Sequence, residues 1–169
     1  MTITVLTPHS EKVTDRKHFH NGDVTEKYYQ HPKYYDVVDT VAREVGEDEL
    51  QNVWDVIQEQ EKTNADWVLF FEAPLAKQTK IQANKMYLEN DIIRWVIQLD
   101  FDGTYEGANS LSLEERVETA TRLMPSLEGV GMVAHLSNKA GFKDVYPNHM
   151  ALRLYVELDR PTGNKALRT

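Results

Sequence analysis

Asp100 and Asp102 stand two residues apart at the end of an apolar run, within "VIQLDFDGTYEG" from 96 to 107. If that run is a strand, alternate side chains share a face. Val96, Gln98, Asp100 and Asp102 then lie on one side, and Trp95, Ile97, Leu99 and Phe101 on the other. The two aspartate Cα atoms are then roughly 6.5–7 Å apart, and both carboxylates can reach a common pair of divalent cations. Such cations bridge phosphate oxygens and stabilise an attacking and a leaving oxygen. Close like charges favour a cation on electrostatic grounds alone. The same Asp-x-Asp-Gly-Thr string also suits a phosphatase that attacks with its first carboxylate. It equally suits a plain strand end, with Gly103 supplying the turn.

Other residues carry weaker signals. His18 and His20, in "HFH", have metal-like spacing but no further ligands beside them, and read more simply as solvated. "KYYQHPKYY" (27–35) sets tyrosines among lysines, a mixture that can stack and hold single-stranded nucleic acid or pack an irregular segment onto a sheet. Lys77, Lys80 and Lys85 precede the aspartate strand and can either reach phosphates or remain solvated. With Lys12, Arg16, Lys17 and Arg94 they are the candidates for a basic side. His135 reads as a hydrogen-bonded strand histidine, and Trp54, Trp67 and Trp95 as core.

The elements that must position these groups follow from periodicity. "DVVDTVAREVG" places Val37, Val38, Val41 and Val45 at helical spacing, with Gly46 as a stop. "EDELQNVWDVIQEQEK" predicts an amphipathic helix with Leu50, Val53, Trp54 and Ile57 inward. "DWVLFFEAP" and "DIIRWVIQLDF" predict strands, and residues 75–90 between them a long loop or short helix. "SLEERVETATRLMP" opens with a capping box from Ser112 to Glu115 and ends before Pro125. "GVGMVAHLS" and "HMALRLYVELD" predict two more strands. In the second, His149, Ala151, Arg153, Tyr155 and Glu157 would share a face. "RPTGNKALRT" reads as a turn entering a new helix. The expected fold is α+β: a small mixed or antiparallel sheet with helices packed on it, in one domain over residues 1–169. The ending points to the N-terminal portion of a longer protein.

The bulk properties bound the function. A chain of 169 residues with 41% hydrophobic and 27% charged residues is sized for one globular domain with a real core. A net charge of −8 argues against tight nucleic-acid binding by this chain alone. There is no cysteine, which excludes disulfides and thiolate metal sites and fits a reducing cytoplasm. No apolar run approaches the ~20 residues of a membrane span, and "MTITVLTPHSEK" lacks a signal-peptide core.

Two families share motifs with this chain. "LDFDGTY" and "VAHLSNKAGF" resemble the first and second motifs of haloacid-dehalogenase phosphatases. That resemblance implies Asp100 as nucleophile, Asp102 as general acid/base and Ser137 on phosphate. Those enzymes also need a later lysine and a further acidic pair; after Ser137 only Asp144, Glu157 and Asp159 are acidic, and none forms that motif.

The order of motifs over most of the chain resembles the archaeo-eukaryotic primase–polymerase domain of phage and plasmid replication proteins. The Asp-x-Asp-Gly strand end is followed by a helix, then by "HLSNKAGF" and "HMALRLYVELDRP". This second resemblance implies an RRM-like catalytic core and nucleotidyl transfer in DNA replication. Asp100 and Asp102 would hold Mg²⁺ or Mn²⁺. Ser137, Lys139, His149 and Arg153 would hold a nucleoside triphosphate. The implied partners are nucleoside triphosphates, a single-stranded DNA template and a helicase domain or protein, in the host cytoplasm with no membrane. Arg153 falls where the family has histidine, and no acidic residue follows Asp159, where the family has a third carboxylate. A third reading is a non-catalytic interaction protein that keeps the fold.

Overall fold

A computed structural model describes residues 2–9, 18–20, 23–25, 35–42, 48–62, 68–71, 93–137, 140, 147–163 and 166. The chain forms two compact units. The first takes Met1–Thr14, Gln30–Ile97 and Glu157–Thr169, the second Asp15–Tyr29 and Gln98–Val156. The described residues form a mixed α/β fold, as expected, with two α-helices, two small three-stranded sheets and a two-stranded hairpin.

In the first unit, β1 (Thr2–Pro8) lies between β4 (Tyr35–Ala42) and β5 (Val68–Phe71), antiparallel to both. Ile3, Thr4, Val5 and Leu6 are all buried, so this strand is covered on both faces. A register shift between Val5 and Leu6 kinks its ladder with β4. Residues 35–42 therefore form a strand, not the predicted helix. Val37, Val38, Thr40 and Val41 are β-branched and fit a pleated ladder better than a helical turn, and β1 supplies the partner.

Helix α1 (Glu49–Glu61) is where the sequence places it, and the Asp48 side chain caps it by accepting from the Gln51 N–H at 3.0 Å. Its buried face is rotated from the predicted one. Val53, Val56 and Ile57 centre the stripe, which draws Glu49 and Asn52 inward and leaves Trp54 41% exposed. Trp54 is thus not core, because Val56, one turn beyond Asn52, pulls the apolar arc away from it.

The second unit contains the short hairpin β2 (His18–His20) and β3 (Asp23–Thr25). Its main part comes from the end of β6 (Ile93–Phe101), helix α2 (Leu113–Leu123), β7 (Met132–Leu136) and the start of β8 (Leu152–Gly163). The strand order is β6-β8-β7, so α2 connects two strands that β8 separates. The Ser112–Glu115 capping box forms in full. β7 and β8 pair antiparallel, which sets His135 opposite Arg153. Strand β8 runs through the predicted turn as far as Gly163. Pro161 is tolerated there because the β7 ladder ends at Val156, so the missing N–H removes no bond to β7.

Leu152, Leu154, Tyr155 and Val156 are buried along β8. Removing a core leucine leaves a cavity, whereas removing a cap leaves one helix-end donor exposed to water. Leu154→Ala should cost about 2–5 kcal/mol and Ser112→Ala about 1 kcal/mol, read as shifts in the urea midpoint at unchanged slope. The reverse order would contradict this account of the core.

Candidate functional site

The site is built on a loop and a turn that one side chain ties together. After β6 the chain passes through Gly103, Thr104 and Tyr105 and runs beside residues 148–150. The Tyr105 N–H donates to the Asn148 carbonyl at 2.7 Å, the Met150 N–H to the Gly103 carbonyl at 3.0 Å, and Thr104 bridges His149. Arg116, on α2 and only 5% exposed, crosses beneath. Its guanidinium donates to the carbonyls of Leu111 at 3.2 Å, His149 at 3.0 Å and Ala108 at 2.6 Å, and also to that of Met150. Burial pulls its pKa below the usual arginine value, but a guanidinium keeps its proton in proteins. A buried cation is thus satisfied by main-chain oxygens. The turn it holds is strained: Asn148 has φ 57° and Ala151 φ 44°, in the left-handed region.

The predicted site residues converge in this unit. Asp100 sits near the end of β6, with its side chain 40% exposed. Its Oδ1 accepts from Arg153 Nε at 2.7 Å and its Oδ2 from Gln98 Nε2 at 3.0 Å. The second bond confirms that Gln98 and Asp100 share a face. Asp102 lies just past the strand with Oδ1 buried. Tyr155, fully buried, lies beside Arg153. Burial of the Arg153 guanidinium works against its charge, but the Tyr155 hydroxyl and the Asp100 carboxylate outweigh that. Arg153 is held above the usual arginine value.

Ser137 follows β7, and its N–H donates to the Ala151 carbonyl at 2.8 Å. Its hydroxyl is buried without a hydrogen-bond partner among the described residues. His149 does not share a strand face with Arg153, because the left-handed Asn148 and Ala151 break the alternation before β8 begins at Leu152. It joins the site instead through the Thr104 bridge, two residues beyond Asp102.

Lys139, Lys12, Arg16, Lys17, Lys77, Lys80, Lys85, Trp67, the stretch 75–90 and most of "KYYQHPKYY" lie outside the described residues. Arg94 is only 3% exposed and so cannot belong to a basic surface. Among the described residues, no group of three or more His, Asp or Glu side chains is placed to hold a metal.

Arg116, Gln98 and Tyr155 were not foreseen. Gln98 and Tyr155 each lie two residues from a predicted site residue on the same strand, a spacing that could have found them. The signal for Arg116 is a charged residue on the apolar stripe of Leu113, Val117 and Ala120.

The arrangement offers one carboxylate paired with a guanidinium and a second carboxylate two residues on. That suits a ligand carrying both a cation and an anion. Mg²⁺ is commonly held by one or two carboxylates together with substrate phosphates, not by an all-protein cage. Asp100 and Asp102 fit that donor set, with phosphate oxygens supplying the remainder.

Arg116→Lys should lower stability by about 3 kcal/mol or more, since a single ammonium cannot reach the carbonyls a guanidinium fork reaches. Urea unfolding measures the loss, and hydrogen exchange at Tyr105 and Met150 should speed up with it. Compared with known proteins, the chain matches no family model, no curated protein and no solved structure.

Proposed function

We propose that this chain is a nucleoside-triphosphate-binding domain for nucleotidyl transfer in DNA replication, of the primase–polymerase type. The observation that carries the reading is the Arg153–Asp100 pair. It joins the residue assigned to phosphate with one assigned to metal, 53 positions apart in sequence. The strand order β6-β8-β7, with α2 crossing from β6 to β7, is a split β-α-β arrangement and agrees with an RRM-like core.

Each residue has a task. Asp100 and Asp102 hold Mg²⁺ or Mn²⁺, which when bound polarises the reacting phosphate and steadies the leaving pyrophosphate. Arg153 grips phosphate oxygens through its planar fork. The Ser137 hydroxyl donates to a neighbouring phosphate, with His149 beside it, and Lys139 is assigned to phosphate by the sequence resemblance alone. Gln98 keeps the Asp100 carboxylate turned toward Arg153. Single-stranded DNA is the template and a helicase the working partner.

Calorimetric titration with ATP tests the reading. Binding in Mg²⁺ should disappear in EDTA and weaken at least about tenfold in Asp102→Ala, which corresponds to roughly 1.4 kcal/mol. Hydrolysis of p-nitrophenyl phosphate that Asp100→Asn abolishes would show a phosphatase instead. Absence of both activities would leave an interaction protein.

A further inference from the structure

Both oxygens of Asp100 are engaged by the protein itself. Arg153 Nε takes Oδ1 at 2.7 Å and Gln98 Nε2 takes Oδ2 at 3.0 Å. A carboxylate so engaged is a poor ligand for a free cation. An arginine so engaged is a poor receptor for a free anion. We infer that Arg153 is an exchangeable internal counter-ion of Asp100, so that metal and polyphosphate enter the site together and neither binds well alone. This deepens the proposed function and rests on its assignment of Asp100 to metal and Arg153 to phosphate.

The physical reasoning concerns what each ion leaves behind. An anion arriving alone must draw the guanidinium from Asp100, stranding a carboxylate beside Asp102. A cation arriving alone must displace the guanidinium and then lie close to it. When both arrive, the cation replaces Arg153 on Asp100, and Arg153 turns to the phosphate. Every charge keeps an opposite neighbour throughout. The side chains are suited to the exchange, because Asp100 is 40% and Arg153 25% exposed, so neither is locked in the core. The buried Tyr155 hydroxyl lies beside the Arg153 guanidinium and favours its charge. His135, directly across the β7–β8 ladder, is the other titratable group facing Arg153.

The inference predicts reciprocal gains, which a simple metal bridge would not give. Removing the internal counter-ion should free the carboxylate: Arg153→Gln should bind Mn²⁺, without nucleotide, about tenfold more tightly than wild type. Removing the carboxylate charge should free the guanidinium: Asp100→Asn should bind tripolyphosphate, without metal, about tenfold more tightly. A partly exposed ion pair and the relief of like-charge repulsion together account for that size. Paramagnetic resonance of Mn²⁺ and calorimetry of tripolyphosphate read the two arms on the full chain at low salt, with circular dichroism verifying the fold. If Arg153→Gln does not fold, the Asp100→Asn arm decides alone.

Gains in the variants support the exchange. If wild type binds magnesium–ATP and the variants show no gain, the exchange is wrong while the nucleotide assignment stands. If no ion binds to wild type or to either variant, both fail. Gains without magnesium–ATP binding would uphold the exchange and refute the nucleotide reading.

Discussion

A single buried guanidinium holds the second unit in order. Arg116 reaches carbonyls at positions 108, 111, 149 and 150, which no local hydrogen bonding would gather. A cation out of water is costly unless its donors are filled, and here main-chain oxygens fill them. The cost of leaving any of these groups unpaired fixes the loop after β6 against the turn before β8. It also helps to sustain two residues in the left-handed region, which would otherwise relax. The exposed groups Asp100 and Arg153 can therefore respond to ligands, while the backbone that carries His149 and the approach to β8 is held from below.

The sheet order gives the second constraint. Because β8 lies between β6 and β7, a residue on β8 faces neighbours from both sides. Arg153 has Asp100 on one side and His135 on the other, with Tyr155 along its own strand. Topology brings the Asp100 charge and the His135 imidazole to Arg153, whereas the Arg153–Tyr155 spacing already shows in the sequence.

What the sequence disclosed depends on the range of the forces involved. The capping box at Ser112, the stop before Pro125, the strand ending at Phe101 and the strand within "GVGMVAHLS" were legible, because neighbours within a few residues set them. Residues 35–42 were misread because valines at helical spacing also suit a strand, and only β1, some thirty residues earlier, decides. The wrong face of α1 has the same origin: which arc is buried depends on what packs against it. His149 was misaligned because two left-handed residues broke an assumed alternation. Arg116 escaped notice because its partners are carbonyls, which every residue has.

The central position of β1 has a cost during synthesis. This strand, with an apolar Ile-Thr-Val-Leu centre, is made before both of its neighbours and cannot be flanked until Phe71 has been added. At ribosomal speeds that is a wait on the order of several seconds. Through that interval it is a bare edge-forming segment of the kind that seeds aggregation. Nascent chains would accordingly need shielding early, and slow translation across residues 9–71 would be a hazard rather than a help.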